Sequence, residues 1–515
     1  MTAPLLTRRV FLASSAAASL LGAAGARAQV VGPFETRSAI GDEVRERARA
    51  LSLKPFVEKP TVAGNLTYDQ YRSIGFDFGQ ALWAGEDDLA FRADFFHVGG
   101  LYQRAVELFE VADGSARPIR YRADMFDFGE EEEAIREVAG PAFAGLRLHY
   151  PLNGLNISEF AVFLGASYFR AIGLDGRYGL SARGLAIRSG LEREEFPRFE
   201  TFWLERPAPG DSALTLHALM DSESVSGAFR FVIAPGESTV MDVSASLFPR
   251  REIEHLGLAP ITSMFMRGEA DRGDFSDFRP QVHDSEALSL RTGANDWMWR
   301  PLRNPETVDI SAYADDNIQG FGLIQRDRDF NHYLDLEARY DLRPGLWVEP
   351  VGEWGPGEVR LVELPTPDET QDNIVAFWTP ETPPAPGEEL AYRYRLHWGP
   401  NPPVNTVLAR VVGTYSGVGG IASSPDPTLR KFVIDFSGGP LGQLAADVEI
   451  EVDARATNAE IVASTILPNA PMAGWRVFLD VRAELGSEPE IACVLRLDGR
   501  VLSEFWTARW HPTDR

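Results

Sequence analysis

The clearest capacity for chemistry in this sequence lies in an acidic loop that leads into an apolar run. Residues 365–380 read PTPDETQDNIVAFWTP, with Glu369 and Asp372 just before the apolar residues. A strand is a stiff mount, so a carboxylate at its start is held in place while it faces solvent or a ligand. Acidic loops that run into strands are also common on protein surfaces, so this pattern alone does not establish a catalytic role.

Carboxylates next to aromatic residues recur between residues 281 and 378, a combination that is typical of sugar chemistry. Glycoside hydrolysis needs one protonated acid at the leaving oxygen and a second carboxylate that activates water or attacks the sugar. Aromatic rings offer stacking faces to pyranose rings, and Arg, Asn and Asp side chains bind hydroxyls. The clusters are residues 281–286, 295–302, 327–333 and 343–354. For any single cluster, packing in a β-sandwich core is the simpler explanation of the aromatic rings.

Other chemistries find little support. The histidines form no H-x-x-x-H or H-x-H pair, so we expect no dedicated metal site, and no cofactor motif is present. The single cysteine, Cys493, cannot form an internal disulfide and reads as a small buried hydrophobe. A formal net charge of −25 argues against nucleic acid as a partner, because phosphate binding rests on Lys and Arg.

The beginning of the chain has the layout of an export signal. Residues 7–12 read TRRVFL and precede a short Ala/Ser/Leu/Gly run and Ala26-Arg27-Ala28. A basic start, a short apolar run and an A-x-A site indicate a signal peptide, and the paired arginines indicate the twin-arginine route. We predict a signal peptide over residues 1–28, cleavage near Ala28 and a periplasmic mature protein. No later segment is long and apolar enough to span a bilayer.

The elements that must position these residues are mostly strands. Helical spacing is confined to residues 36–53, with Thr36 or Ser38 as the candidate cap, and to a further turn at residues 68–72. From Ile74 onward, short alternating runs are separated by turn residues roughly every ten positions, which predicts an antiparallel all-β protein.

Length and turn chemistry suggest two domains. We place a large β-sandwich at residues 30–398, a linker at 399–410 that contains the sequence NPP, and a second domain at 411–515. About seven short strands in the second domain suit an immunoglobulin-like sandwich. We interpret the Pro-rich residues 379–388 as a hairpin loop within the first domain.

Nine longer motifs resemble the periplasmic glucan biosynthesis G/D family. They are FLGASYFRA (163–171), YGLSARGLAI (178–187), EEFPRF..FW (194–203), APITSMF (259–265), HDSE (283–286), RPLRNP (300–305), GFGLIQRDRDFNHYLD (320–335), RPGLWVEP (343–350) and DNIVAFW (372–378). The resemblance extends from about Phe34 to the C-terminus, and the twin-arginine signal makes the chain more similar to the D branch. It implies a galactose-mutarotase-like N-terminal sandwich, an immunoglobulin-like C-terminal domain and a role in making osmoregulated periplasmic glucans.

The resemblance also implies an activity and its residues. Members of the family are grouped as anomer-inverting glycoside hydrolases that cut β-1,2-glucan internally, while some relatives close a ring through an α-1,6 bond. Asp372 matches the general acid, Asp284 of HDSE matches the general base of the D branch, and Glu369 matches a third, supporting acid. From the same motifs and clusters we predict further substrate-binding residues, which are Tyr168, Arg183, His332, Tyr333, Trp347, Trp354 and Trp378.

Three functions stay open on the sequence. We favour an inverting endo-β-1,2-glucanase; the alternatives are an inverting transglycosylase that cyclises β-1,2-glucan through an α-1,6 bond, and a non-catalytic glucan-binding scaffold. The first two differ in whether water or a sugar hydroxyl reaches the anomeric carbon, which loops decide. The expected partners are β-1,2-glucan and a membrane glucan synthase, and the sequence does not indicate an oligomeric state.

Overall fold

In a computed structural model, residues 38–154, 156–273, 276–421 and 424–512 are described, and they form an all-β protein with a few short helices. The predicted signal peptide at residues 1–28 lies outside these ranges. None of the helices in the described ranges combines the length and the apolar character that crossing a membrane requires.

The helices are short, and the sequence pattern predicted two of them. They are α1 (Ala39–Ser52), α2 (Tyr68–Arg72), α3 (Glu132–Val138) and α4 (Phe330–Tyr333). Ile40, Val44 and Ala48 share one face of α1 and are buried against the sheet, as the helical spacing predicted. Ser38 is the N-cap residue, but its hydroxyl donates to Glu205 at 2.9 Å instead of capping the helix. The pattern did not predict α3.

Strands make up most of the chain. The first half contains β1 (Gly75–Phe76), β2 (Arg92–His97), β3 (Glu107–Ala112), β4 (Ser115–Pro118), β5 (Phe126–Asp127), β6 (Phe143–Tyr150), β7 (Ser158–Leu164), β8 (Tyr168–Ala171), β9 (Ser181–Arg183), β10 (Ala186–Ile187), β11 (Arg198–Glu205), β12 (Leu214–Asp221), β13 (Val225–Ala234), β14 (Thr239–Pro249), β15 (Leu256–Ser263) and β16 (Phe265–Arg267). The second half contains β17 (Val282–His283), β18 (Ala287–Arg291), β19 (Trp297–Pro301), β20 (Asp309–Asp315), β21 (Gly320–Ile324), β22 (Gly345–Pro350), β23 (Gly357–Glu363), β24 (Ile374–Pro380), β25 (Leu390–Gly399), β26 (Arg410–Ile421), β27 (Ser424–Ser437), β28 (Glu451–Thr457), β29 (Glu460–Asn469), β30 (Gly474–Arg482), β31 (Glu490–Leu497), β32 (Arg500–Val501) and β33 (Phe505–Arg509).

Two large sheets pack face to face around the main core. One has ten strands in the order β2-β6-β7-β8-β9-β15-β24-β23-β20, with β10 beside β15. The other has fifteen strands in the order β28-β31-β33-β19-β18-β21-β22-β25-β14-β13-β12-β11-β3-β4, with β32 beside β31. Aromatic rings join the layers: Phe163 and Phe169 of the first sheet each lie 5.2 Å from Phe231 of the second.

The ten-stranded sheet turns a polar face away from this core. Phe169 pairs with Ala182, and these side chains belong to the core. Because successive side chains of a strand alternate between faces, the neighbouring pair of Tyr168 and Arg183 lies on the other face. This polar face is where the candidate site forms.

The C-terminal strands continue the larger sheet. β33 runs parallel to β19, with Trp299 paired to Trp506, so β28, β31 and β33 extend the fifteen-stranded sheet. β26, β27, β30 and β29 form a separate four-stranded sheet, whose Phe432 packs against Trp506 at 5.5 Å. Residues on both sides of the interval between β25 and β26 therefore share a core, and the division into two domains stays a prediction.

The Pro-rich residues 379–388 do not form the hairpin that we expected. β24 belongs to the ten-stranded sheet and β25 to the fifteen-stranded sheet, so this loop crosses between the two layers. Turn chemistry is local and identifies a loop, whereas the partner of each flanking strand is decided by distant parts of the chain.

Candidate functional site

Asp372 lies at the polar face of the ten-stranded sheet, two residues before β24. Its carboxylate accepts a hydrogen bond from the Ser181 hydroxyl at 3.4 Å and lies 3.5 Å from the Arg170 guanidinium. Both contacts are long, and 26% of the Asp372 side chain remains exposed. The carboxyl group is thus positioned by the sheet but is still accessible to a ligand.

The next residue, Asn373, fixes the backbone at this point. Its buried amide donates to the carbonyl oxygens of Phe265 at 3.0 Å and Leu364 at 2.9 Å, and it accepts from the Phe265 N–H at 2.8 Å. All these contacts are to backbone groups of two neighbouring segments. Asn373 therefore anchors the start of β24 and limits the movement of Asp372.

Asp284 is buried, in contrast to Asp372. Its N–H donates to the Met264 carbonyl at 2.8 Å, and its carboxylate pairs with the Arg343 guanidinium. Burial raises the pKa of Asp284, the charge of Arg343 opposes this rise, and the negative charge of Asp372 adds to it. The two aspartates are therefore close enough to interact electrostatically.

The backbone contacts place Asp284 and Asp372 at opposite edges of one extended segment. In a strand, successive residues direct their N–H and C=O groups to opposite sides. The Met264 carbonyl faces Asp284, whereas the polar groups of Phe265 face Asn373. Residues 264–265 therefore lie between the backbone of Asp284 and the start of β24.

Glu369 is tied to an arginine. Its carboxylate lies 2.7 Å from Arg279, which also contacts Asp277 at 2.7 Å and Asp335 at 2.8 Å. The hydrogen bond from Arg279 is the main reason that the pKa of Asp277 is lowered to about 2. The charge of Glu369 is thus compensated within a network, and this suits a supporting residue.

Tyr340 lies between the acidic groups. The Arg343 guanidinium stacks 4.2 Å from the centre of its ring. Burial raises the pKa of Tyr340, and the charges of Glu369 and Asp284 both add to the rise. Tyr340 and Arg343 therefore connect the surroundings of Glu369 with those of Asp284.

Tyr168 and Arg183, which we predicted as substrate-binding residues, lie beside Asp372. The Arg183 guanidinium is 4.7 Å from the Tyr168 ring centre and 2.6 Å from the Glu194 carboxylate. Burial raises the pKa of Tyr168, and among the charges around it that of Asp372 adds to the rise. The structure brings these two predicted residues together with the predicted acid.

Three predicted aromatic ligands face the core instead. Tyr333, Trp347 and Trp378 are 0%, 2% and 0% exposed, so none offers a ring face to a sugar, and we assign them to packing. Trp354 is half-buried against Tyr394, with its indole N–H donating to the Arg393 carbonyl at 3.1 Å. For Trp347 and Trp378 the reason is that strand aromatics alternate between faces, and the sequence pattern did not fix which face is the core.

His332 is exposed, with 48% of its side chain accessible, and its Nδ1 lies 2.7 Å from the Asp327 carboxylate. No contact in the described ranges joins it to Asp372, Asp284 or Glu369. The structure thus places His332 in a different polar group from the three acids.

Several residues of the site were missed from sequence reasoning. They are Arg170, Ser181, Arg279, Tyr340 and Arg343. Arg170, Ser181 and Arg343 lie inside motifs quoted above, but nothing in the motifs says that they contact an acid. Arg279 and Tyr340 lie outside every quoted motif, and no local sequence pattern identified them as site residues.

The structure is that of an all-β protein in which the carboxylates of Asp284 and Asp372 lie on either side of residues 264–265. Residues 41–510 match the family model described as "Periplasmic glucan biosynthesis protein, MdoG". The chain therefore belongs to that family.

Individual relatives carry names from both branches. A protein of Rhodopseudomonas palustris (strain BisA53) named "Glucans biosynthesis protein G" is 46% identical over 98% of this chain and all of its own length. "Glucans biosynthesis protein D 1" of Ralstonia nicotianae is 45% identical over 98% of both chains. "Probable glucans biosynthesis protein D" of Shewanella oneidensis is 44% identical over 88% of this chain and 85% of its own. These similar identities do not separate the two branches.

Proposed function

We propose that this protein is exported to the periplasm and takes part in the biosynthesis of osmoregulated periplasmic glucans as an anomer-inverting endo-β-1,2-glucanase. One observation carries the proposal. Asp372, accessible at the start of β24, and Asp284, buried beside Arg343, flank the same extended segment. Family membership and the names of the relatives support the glucan as the substrate class.

In this proposal the separation of the acids determines the stereochemistry. Inverting glycosidases hold their two carboxyl groups about 6.5–9.5 Å apart to leave room for a water molecule, whereas retaining enzymes hold them about 5–5.5 Å apart. The attachment of Asp284 and Asp372 on opposite sides of residues 264–265 supports the wider carboxyl spacing of the inverting class.

Each acid has a distinct part. Asp372 protonates the glycosidic oxygen as the bond to the anomeric carbon breaks, and it regains a proton from solvent. Asp284 removes a proton from the attacking water, and its raised pKa makes it a stronger base. Arg343 holds the Asp284 carboxylate in orientation, and Glu369 acts through Arg279 as a supporting residue.

The polar sheet face supplies the binding surface in this proposal. Tyr168 lies beside Asp372, Arg170 is two residues further along the same face of β8, and the Arg183 guanidinium stacks on the Tyr168 ring. Arginines and tyrosines bind sugar hydroxyls, and the face continues across several strands on both sides of Asp372. A long open face suits internal cleavage of a chain.

Product analysis tests this function. The purified mature protein is incubated with linear β-1,2-glucan, and products are followed by mass spectrometry and a reducing-end assay. We expect shorter linear chains with new reducing ends, and activity at least 100-fold lower in Asp372→Asn and Asp284→Asn. Asp368→Asn is the matched control, because Asp368 lies in the same loop, is exposed, and its carboxylate accepts bonds from Thr370.

Other products would change the conclusion. Chains lighter than the linear form by one water and without reducing ends would identify a cyclising transglycosylase. Unchanged glucan, bound equally well by the wild type and by Asp372→Asn, would identify a scaffold.

A further inference from the structure

Glu269, Asp327 and His332 form a cluster that includes none of the three proposed acids. Each offers one potential metal-ligand atom, and these atoms all lie within 4.8 Å of one another. The cluster combines an imidazole with two carboxylates, so it is a mixed nitrogen and oxygen donor set. The sequence predicted no metal site because its histidines form no close pairs, whereas these ligands come from two separate segments.

Asp327 and His332 are held in place before any ligand binds. Gln281 donates to the Asp327 carboxylate at 2.6 Å, and its backbone N–H donates to the His332 carbonyl at 3.1 Å. The buried Tyr333 hydroxyl donates to the Asp327 carbonyl at 2.9 Å. The His332 Nδ1 atom lies 2.7 Å from the Asp327 carboxylate, so the two groups face each other, and an ion between them would take the electron pair of Nδ1 while Nε2 carries the ring proton.

Glu269 is positioned by the C-terminal strands. Its carboxyl group is hydrogen-bonded to the Tyr415 hydroxyl, and the adjacent Ala270 carbonyl accepts from Ser416 at 2.8 Å. Glu269 also lines a recess of about 370 Å³ that includes space open to solvent. The His332 side chain is exposed, so an ion can reach the cluster from solvent, and it would join the loop after β21 to a segment held by β26.

The charges of the cluster also favour a cation, since among the described residues Asp327 has only the His332 imidazole as an ion-pair partner and Glu269 has none. In the described part of the chain, no Arg or Lys forms an ion pair with Glu269 or Asp327. Other shielded acids, such as Asp94, Asp277 and Asp435, do pair with arginines. Carboxylates removed from water are normally compensated by a cationic side chain or a metal ion.

We propose that Glu269, Asp327 and His332 bind one divalent transition-metal ion, Zn²⁺ or Mn²⁺. Imidazole and carboxylate ligands suit these ions, and the absence of thiolates makes a soft-metal site unfavourable. Ligands about 2.1 Å from a tetrahedral Zn²⁺ lie roughly 3.4 Å apart, so small side-chain rotations complete the site. The ion ties the Asp327 loop to the C-terminal strands.

Metal titration of the chelator-treated mature protein tests the proposal. Isothermal titration calorimetry with Zn²⁺ and Mn²⁺ should show one ion per chain for at least one of the two metals. Glu269→Gln and Asp327→Asn should weaken that binding at least tenfold. The matched control is Glu349→Gln, which alters a carboxylate paired with His397 at 2.9 Å and should leave binding unchanged.

A spectroscopic measurement on the wild-type protein tests metal binding even if the cluster variants do not fold. Co²⁺ added to the wild type should give visible d–d absorption that Zn²⁺ displaces, and His332→Asn should lose or shift the bands. Absence of stoichiometric binding by the wild type, or equal binding by the wild type and the folded cluster variants, would overturn the proposal.

Discussion

Replacement of Asn373 by alanine should destabilise the protein and lower its glucanase activity more than its stability loss explains. The side chain makes contacts at 2.8, 2.9 and 3.0 Å to backbone groups of Phe265 and Leu364, and the residue is 2% exposed. A buried polar group left without a partner costs about 1–3 kcal/mol. Asn373→Ala leaves three backbone groups of Phe265 and Leu364 without this partner, and some of them can find new partners. We therefore expect the free energy of unfolding to fall by about 3 kcal/mol.

The effect on activity follows from the position of Asp372. Without the clamp, the start of β24 is free to move relative to Met264 and Phe265, and the distance between the two proposed carboxylates varies. We expect kcat to fall at least tenfold at a temperature where the variant is fully folded, with a smaller change in KM. Asn373→Asp should be worse, because it places a carboxylate against two carbonyl oxygens.

Urea denaturation and steady-state reducing-end assays measure both quantities. Asn65→Ala serves as the control, since Asn65 is exposed and accepts one bond from Gln103. If Asn373→Ala kept wild-type kcat while fully folded, the positioning argument would be refuted. If its unfolding free energy were also unchanged, the hydrogen-bond clamp itself would be refuted.

Three further perturbations test separate parts of the account. Burial by itself raises the pKa of Asp309, but the hydrogen bond from His511 and the charge of Arg509 lower this pKa to about 2. The lowered pKa means that ionised Asp309 stabilises the folded protein at pH values above the usual Asp pKa, and that this contribution is lost as the pH falls toward 2. Asp309→Asn should therefore remove about 2 kcal/mol of the pH dependence of the unfolding free energy in acid denaturation. Arg343→Met should raise the pKa of Asp284 further and move the acidic limb of the kcat/KM profile to higher pH. Trp347→Ala should cost about 3–5 kcal/mol in urea denaturation, with glucan affinity unchanged when the variant is folded.

Local patterns were sufficient for α1, α2 and the strand content. The apolar spacing of Ile40, Val44 and Ala48 identified α1, and alternation identified the β regions. The helix α3 was not predicted because it is seven residues long and buries only Ile135, which is too little to show a helical periodicity. The pairing of β33 with β19 could not be predicted, because two strands far apart in sequence meet only through the fold.

The candidate site was predictable only in part. The loop containing Glu369 and Asp372 stands out from its composition, whereas Asp284 came from the family motif. The contact between Ser181 and Asp372 joins residues 191 positions apart, and no local signal encodes it. Trp347 and Trp378 were misassigned because a strand residue faces core or ligand according to register, which depends on the sheet as a whole.

The anomeric configuration of the first product tests the central claim most directly. Proton NMR or polarimetry during rapid cleavage of β-1,2-glucan records the reducing end before it mutarotates. Separated carboxylates on opposite edges of one segment predict that the α-anomer forms first, since water attacks the face opposite the leaving group. Initial formation of the β-anomer would contradict the inverting arrangement of Asp372 and Asp284.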